Sequence, residues 1–393
     1  MQRPVILPQL YLVLAGIFAF FIYTTQWPVH ALQLHLMTDK GYIGDIGGGD
    51  FRLYWAQGQL AAQGKPLGAY DAPTLIHAAI MESLKGTVDV RPSFYPPVFV
   101  LLLEPLGRLS YPEAWHVYNW GSVLLLAFVT VFAFRREYYA LPLLFGFGGL
   151  VSSLSFGQNS ILLTTLYLFV AAFGIRHERL AGLALSVASF KPHLGVLVPL
   201  MLLWRIQYRT FMWAFTGLAA LVAFTALRYS PEMWQRYLEV LHEPAERLIN
   251  FDNTQGQYMI SLYAFLRLKA IAPVPALAAQ AAIALLAVFM LWQVCRRALD
   301  PMLPTAALVT ATLLVMPHAY SYDMLLLFIP IMVIVRRAQH TGWQLADVEA
   351  LLPVYVLPYY IDRLNLMLPV PLAPLAMLLL LRRLVQHSRM DHA

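Results

Sequence analysis

Long apolar runs separated by short polar breaks fill the chain from about residue 111 to its C-terminal end. A run of about 20 apolar residues can cross a bilayer as a helix, which satisfies its own backbone hydrogen bonds. The runs therefore predict about twelve transmembrane helices. We place them near 8–25, 111–134, 138–156, 159–175, 179–190, 192–205, 210–228, 272–295, 303–316, 320–335, 346–361 and 365–382.

Composition agrees with this pattern. The chain is 60% hydrophobic and only 12% charged, with a mean hydropathy of +0.62, whereas soluble domains carry about 25% charged residues. We therefore expect an all-α polytopic membrane protein in one domain, 1–393. The first run lacks a small-residue cleavage site, which predicts an uncleaved span. The net charge of +6 contains no block of five like charges, so nucleic acid is not an expected partner.

The first outer loop, 26–110, contains shorter apolar segments. The run 95–109 is shorter than a typical transmembrane helix. We interpret it as a re-entrant or peripheral helix, with a full span as the alternative. Apolar residues recur at helical spacing near 51–63 and 73–85, and glycine or proline bounds each segment. These two segments predict short amphipathic helices lying on the membrane.

The positions of lysine and arginine predict the orientation, because cytoplasmic loops are enriched in both. With the N-terminus inside, the short outer connections hold only Lys191 and Arg363. A full span at 95–109 would turn four of the inner arginines outward, which favours the re-entrant interpretation. The predicted inner set is Arg3, Arg135, Arg136, Arg176, Arg179, Arg205, Arg209, Arg296, Arg297, Arg336, Arg337, Arg382, Arg383 and Arg389.

The same orientation sends the polar motifs of five separate parts of the chain to the outer face. Asp50 is the most informative, because it follows three glycines, opens a helix and precedes Tyr54 by one turn. A carboxylate held there can act as a base on a lipid-borne substrate, although aspartate is also an ordinary helix N-cap. Asp45, in the same glycine-rich turn, is the weaker competitor.

Lys191 and His193 flank a proline that breaks an apolar stretch. Ionisable groups at membrane depth usually face a cavity or a partner, and these two supply donors suited to a phosphate. A lysine that snorkels to the headgroups is the alternative. A second polar cluster contains His318, which can donate to a phosphate or a sugar hydroxyl. Its other members are Tyr320, Tyr322 and Asp323.

The amides of Gln158 and Asn159 can bond sugar hydroxyls, or they can simply cap a turn. Tyr95, before a Pro-Pro pair, can stack on a sugar, but the interfacial aromatic belt is the favoured interpretation. The chain lacks a Walker loop, a Gly-x-Ser-x-Gly elbow and a His-Glu-x-x-His motif. It also has no convincing metal-ligand spacing, so we expect neither a cofactor nor a metal.

Taken in order, these motifs carry a family resemblance. Gly49-Asp50-Phe51-x-x-Tyr54-Trp55, Tyr95-Pro96-Pro97, Gly157-Gln158-Asn159, Phe190-Lys191-Pro192-His193 and Pro317-His318-x-x-x-Tyr322-Asp323 resemble glycosyltransferase family 87. This family comprises polyprenol-phosphate-mannose-dependent mannosyltransferases of the GT-C superfamily. The resemblance implies a GT-C-type fold, a polyprenyl-phosphate-linked sugar donor, inversion at the anomeric carbon and a site on the outer face of the cytoplasmic membrane.

The resemblance also implies roles. Asp50 matches the general base, and Lys191, His193 and His318 match the groups that we assign to the donor phosphate. Substrate contacts are expected from Tyr54, Tyr95, Gln158, Asn159, Tyr322 and Asp323. The expected partners are the lipid-linked donor, a lipid or glycan acceptor and membrane lipids. Mannose is the favoured sugar, with glucose or arabinofuranose as alternatives. A transporter or flippase for a lipid-linked sugar is the alternative function, and a non-catalytic scaffold is a third.

Overall fold

The structure, a computed structural model, describes residues 13–14, 16–17, 49–75, 93–241 and 256–390. Within these ranges the chain is helical and has no strand, which confirms the all-α prediction. An isolated antiparallel bridge joins Met259 to Tyr320. The α-helices with described bounds are α1 Gly49–Ala62, α2 Pro97–Leu103, α3 Tyr111–Ala133, α4 Ala140–Phe145, α5 Gly148–Phe156, α6 Ser160–Phe173, α7 Glu178–Ala188, α8 Val198–Trp204, α9 Tyr208–Tyr229, α10 Pro231–Val240, α11 Leu262–Leu268, α12 Pro273–Arg297, α13 Met302–Val315, α14 Phe328–Thr341, α15 Leu345–Val356, α16 Ile361–Met367 and α17 Leu372–Met390.

Short 3₁₀ helices lie between several of these α-helices. Two of them carry predicted site residues, because proline or a polar cluster stops the α-helix there. Pro192 occupies the first helical position of its segment, where its missing N–H costs nothing. The 3₁₀ helices are Pro66–Tyr70, Leu106–Arg108, Pro192–Gly195, Ser321–Leu327 and Leu357–Tyr359.

Three of the described helices are long and apolar enough to cross a membrane: α3, α9 and α12. A fourth candidate is the pair α16 and α17, which is bent by 115°. The predicted number of about twelve spans is therefore not confirmed. The remaining predicted spans within the described ranges appear as shorter or broken helices, and the one near 8–25 lies almost entirely outside them.

The break between α4 and α5 shows why one apolar run need not form one helix. The run predicted at 138–156 is interrupted at Gly146, whose carbonyl accepts a hydrogen bond of 3.2 Å from the Tyr359 hydroxyl. The Tyr355 hydroxyl packs so closely that a Cβ on Gly146 would lie 2.7 Å from it. Tertiary contacts with two distant tyrosines thus replace the local hydrogen bonds of a continuous helix.

The run 95–109 forms the seven-residue helix α2 followed by a 3₁₀ turn. At 1.5 Å per residue this helix is about 10 Å long, far short of a bilayer. The structure therefore agrees with a re-entrant or peripheral helix and not with a full span. The turn packs backbone to backbone on α1, where a Cβ on Gly107 would lie 2.0 Å from the carbonyl carbon of Gly58. Only glycine permits that approach.

Helix α1 corrects one expectation. A helix was predicted near 51–63 and one forms at Gly49–Ala62, but every residue from Phe51 to Ala61 is buried. It is therefore not an amphipathic helix with a polar face toward water, because protein covers all of its sides. The second predicted helix, 73–85, extends beyond the described residues after residue 75.

The apolar residues form two groups: an internal core, and a set of exposed side chains on the outside of the long helices. Helix α13 lies at the centre, with Met302 through Leu314 buried. Helices α3, α9 and α12 instead expose large apolar side chains such as Trp120 (61%), Leu227 (88%) and Leu285 (72%). Apolar side chains on the outside of long helices are suited to lipid tails and not to water. The chain is a membrane protein.

Candidate active site

The predicted site residues come together where several helices end. Asp50 starts α1, Tyr95 precedes α2, and Gln158 lies in the turn between α5 and α6. Lys191 and His193 begin the 3₁₀ segment after α7, while the cluster 318–323 connects α13 to α14. The turn before Gln158 depends on glycine, because Gly157 adopts a left-handed conformation with φ 62°.

A chain of hydrogen bonds holds the Asp50 carboxylate. The Gln158 amide nitrogen donates to Asp50 Oδ2, and the Gln158 amide oxygen accepts from the Tyr54 hydroxyl at 3.0 Å. The Tyr54 and Tyr95 hydroxyls are themselves 2.7 Å apart. Because the Tyr54 hydroxyl binds the oxygen of the amide, it directs the nitrogen toward Asp50. Gln158, predicted to bind substrate, therefore has a direct structural role in orienting the carboxylate.

Aromatic rings form the wall of this part of the site. Tyr54 makes edge contacts with Tyr95 and Phe99, with ring centroids 5.2 and 5.0 Å apart. Phe99 stacks on Phe190 at 5.3 Å, and Phe190 directly precedes Lys191. Burial is the main cause that raises the pKa of the Tyr54 phenol well above its ordinary value, and Tyr95 and Asp50 act in the same direction. Tyr54 is therefore a neutral hydrogen-bond donor at physiological pH.

Lys191 and Asp323 form a buried ion pair. The Lys191 ammonium lies 2.6 Å from Asp323 Oδ1, and the two side chains are only 3% and 2% exposed. Ser160, at the start of α6, bridges them: its hydroxyl accepts from Lys191 at 3.2 Å and donates to Asp323 at 2.7 Å. The other oxygen of Asp323 accepts from the Tyr320 backbone N–H at 3.2 Å. The positive charge of Lys191 is thus already balanced within the protein, which differs from the simple phosphate ligand that the sequence suggested.

Two histidines lie beside this pair. The rings of His193 and His318 are 4.9 Å apart, and Nδ1 of His318 has no hydrogen-bond partner among the described residues. Burial, supported by the charge of Lys191 and opposed by that of Asp323, lowers the pKa of the His318 imidazole. His318 is consequently neutral near pH 7, and it can offer an N–H or accept a proton without carrying a positive charge.

Tyr322 and Asn159 are two more predicted site residues, and they differ in their contacts. The Lys191 ammonium sits 5.0 Å from the centre of the Tyr322 ring, which also stacks on Tyr320 at 5.2 Å. Asn159 is fully buried, and neither atom of its amide has a hydrogen-bond partner among the described residues. Its predicted contact with substrate stays a prediction.

The carboxylate and the ion pair belong to one site. Gln158 bonds Asp50, and Ser160, two residues further along the chain, bridges Lys191 and Asp323. All ten predicted site residues are described and lie around this region, whereas the competitor Asp45 lies outside the described residues. No group of three or more histidine, cysteine or acidic residues suited to a metal occurs in the described part of the chain.

Sequence reasoning missed two polar residues here. Ser160 is the bridge of the buried ion pair, and its position directly after the Gly157-Gln158-Asn159 motif was the available signal. Tyr118 on α3 packs against Phe51, with ring centroids 4.8 Å apart. No local motif marks Tyr118, because it lies within an apolar span and reaches the site only through helix packing.

These contacts describe a helical membrane protein in which a carboxylate, a buried lysine and two histidines converge at one end of the helices. The sequence matches the model of glycosyltransferase family 87 over residues 94–317, more than half of the chain. The chain belongs to glycosyltransferase family 87, which confirms the resemblance, is consistent with the GT-C superfamily, and makes the protein a glycosyltransferase rather than a transporter or a scaffold. No curated protein and no solved structure shows significant similarity to it.

The family match covers only part of the candidate site. Residues 94–317 contain Tyr95, Gln158, Asn159, Lys191 and His193, but they exclude Asp50 and the cluster 318–323. The contacts described above join these outer segments to the matched region. The Gln158 amide binds Asp50, and the Lys191 ammonium binds Asp323.

Proposed function

We propose that the protein transfers a sugar, with mannose favoured, from a polyprenyl-phosphate-linked donor to a glycolipid or glycan acceptor. The single observation that supports this most is the Asp50 carboxylate, oriented by Gln158 and close to a buried basic cluster, in a member of glycosyltransferase family 87. A general base and a group that stabilises phosphate are the two parts that such a reaction needs.

The proposed reaction is a single displacement. Asp50 accepts the proton of an acceptor hydroxyl while that oxygen forms a bond to the anomeric carbon of the donor sugar. The bond from the anomeric carbon to the phosphate oxygen breaks, and its electron pair leaves with the polyprenyl phosphate. The configuration at the anomeric carbon is inverted because the acceptor attacks from the opposite face. Asp50 then releases its proton to solvent.

The leaving phosphate gains negative charge during this step. We assign its direct hydrogen bonds to His193 and His318, because Asp323 already engages Lys191. The buried pair of Lys191 and Asp323 lies beside the two histidines, where electrostatic interactions are stronger than in water. The partly exposed ring of Tyr95 offers a surface on which a sugar ring can stack.

We infer that the site faces the outside of the inner (cytoplasmic) membrane. Two of the predicted inner arginines lie at the opposite ends of the helices: Arg336 pairs with Asp300 at 2.8 Å, and Arg205 donates to the Ala298 carbonyl at 2.9 Å. The enrichment of basic residues in cytoplasmic loops assigns that end to the cytoplasm. The polar site at the other end then faces the extracytoplasmic side.

Purified protein in lipid nanodiscs tests the proposal. Polyprenyl-phosphate-mannose is the donor, and a crude membrane lipid extract supplies the acceptor. We expect donor consumption and a new glycolipid, with turnover lost in Asp50→Asn while donor binding persists. Asp71→Asn is the matched control, since Asp71 is exposed and caps its own turn by accepting from Thr74 N at 3.1 Å.

Different outcomes contradict different parts of the proposal. Loss of donor binding together with turnover in Asp50→Asn would make Asp50 a structural or binding residue. Failure of the wild-type protein to bind any polyprenyl-phosphate sugar would refute the proposed donor class. Binding of a glucose or arabinofuranose donor in place of mannose would correct the sugar alone.

A further inference from the structure

One face of α3 packs around Phe51, the residue that follows Asp50. Tyr111, Trp115 and Tyr118 are spaced four and three residues apart, so they share one side of the helix. Their rings lie 5.8, 5.5 and 4.8 Å from that of Phe51. Tyr118 also contacts Tyr54, with ring centroids 6.4 Å apart. Helix packing therefore places Tyr118 next to the start of α1.

The Tyr118 hydroxyl differs from its polar neighbours. The Tyr54 hydroxyl bonds Gln158 and Tyr95, and Trp55 Nε1 donates to the Leu109 carbonyl at 3.1 Å. The Tyr118 side chain is 5% exposed, and its hydroxyl has no hydrogen-bond partner among the described residues. Buried phenols usually have a partner, since leaving the group unpaired is costly.

Packing alone does not require this oxygen. Phenylalanine would make the same ring contacts with Phe51 and Tyr54 without burying an unpaired polar group. The ring contacts with Phe51 and Tyr54 also place this residue at the start of α1, where Asp50 lies. A partner that arrives from outside the protein, beside the Asp50 carboxylate, accounts for both observations.

We propose that the Tyr118 hydroxyl binds a carbohydrate oxygen of the substrate next to Asp50, and so is a further substrate-contacting residue. This inference rests on the proposed glycosyl transfer. The bound oxygen belongs either to the donor sugar or to the acceptor glycan, whose hydroxyls share the same chemistry. The phenol donates its hydrogen to that oxygen and takes no part in bond formation or cleavage.

Tyr118→Phe tests the inference in the same nanodisc assay. Transfer rates are measured while polyprenyl-phosphate-mannose is varied at fixed lipid extract, and then while the extract is varied at fixed donor. We expect the half-saturating concentration of one of the two to rise about threefold to tenfold, as loss of one neutral hydrogen bond implies. A donor effect assigns the contact to the sugar, and an extract effect assigns it to the acceptor.

The matched control is Tyr355→Phe, which removes a buried phenol whose hydroxyl donates to the Leu143 carbonyl at 2.9 Å. That variant should lower the thermal unfolding midpoint and keep both half-saturating concentrations. Tyr118→Phe should keep or raise the midpoint, because it removes an unpaired group. Unchanged kinetics in Tyr118→Phe beside an active wild type would overturn this inference alone. A wild type that neither binds nor turns over any polyprenyl-phosphate sugar would overturn the proposed function as well.

Discussion

The buried pair of Lys191 and Asp323 allows the most quantitative prediction. Its atoms are 2.6 Å apart, and both side chains are almost fully buried. With an effective dielectric constant of about 20, the attraction at this distance is roughly 6 kcal/mol. Desolvation of the two ions offsets much of that gain, so the pair as a whole contributes little net stability. The cost of removing only one partner is larger, because it leaves the other charge buried and unpaired.

The perturbations are Lys191→Met, Asp323→Leu and the double substitution. Each single change should lower the free energy of unfolding by about 3–5 kcal/mol, since one uncompensated charge remains. The double change removes both ions and should cost far less than the sum of the two, so the coupling energy should be about 5 kcal/mol or more. The Ser160 hydroxyl loses both of its charged partners in the double variant, which sets a remaining cost of about 1 kcal/mol.

Equilibrium unfolding in mixed detergent micelles provides the measurement for all four proteins. Arg336→Met and Asp300→Leu form the matched control cycle, because that pair has a similar distance of 2.8 Å but side chains that are 30% and 19% exposed. The control coupling should be about 1 kcal/mol or less. Additive costs at Lys191 and Asp323, or single costs below about 1 kcal/mol, would refute the reasoning that the pair is desolvated.

Two further predictions concern the site. Gln158→Glu places a second carboxylate beside Asp50, so the acidic limb of the profile of kcat/KM against pH should move to higher pH, and further than in Gln158→Met, which removes only the hydrogen bond to the carboxylate. An unmoved limb in Gln158→Glu would exclude the contact. Because burial holds the pKa of His318 below its ordinary value near 6.5, the unfolded state binds more protons below that pH and stability should fall as pH drops through 6.5. His318→Gln should reduce this acid-side loss in unfolding experiments at pH 7 and pH 5, and an identical loss in both proteins would contradict the assignment.

The long membrane-spanning helices and several helix breaks follow from the local pattern of apolar, proline and glycine residues. The length of apolar runs was sufficient to predict α3, α9 and α12, because a run of about 20 apolar residues has one stable arrangement in a bilayer. Proline and glycine marked breaks at Pro192 and Gly157 for equally local reasons. The ordered motifs around them led to the right family, since their types and sequence order do not depend on the fold.

Other features depended on partners far away in the chain. Gly146 ends α4 because Tyr355 and Tyr359 pack against it, and no apolar pattern within 138–156 shows those contacts. Helix α1 was expected at a surface, yet it is buried because α2 and the 3₁₀ helices Leu106–Arg108 and Pro66–Tyr70 pack around it. Sequence spacing describes which face a residue lies on, but not what the rest of the chain places against that face.

The same distinction applies to the chemistry of the site. Residue types and their order along the chain are enough to show that Asp50, Gln158, Lys191 and the cluster 318–323 are polar groups at helix ends. The packing of the helices, in contrast, is needed to show that Gln158 orients Asp50 and that Asp323 pairs with Lys191, 132 residues apart in sequence. Hydrogen bonds and ion pairs act over about 3 Å, so their partners are set by how helices pack. Residue type supplies the donor or the charge, and packing determines what that group meets.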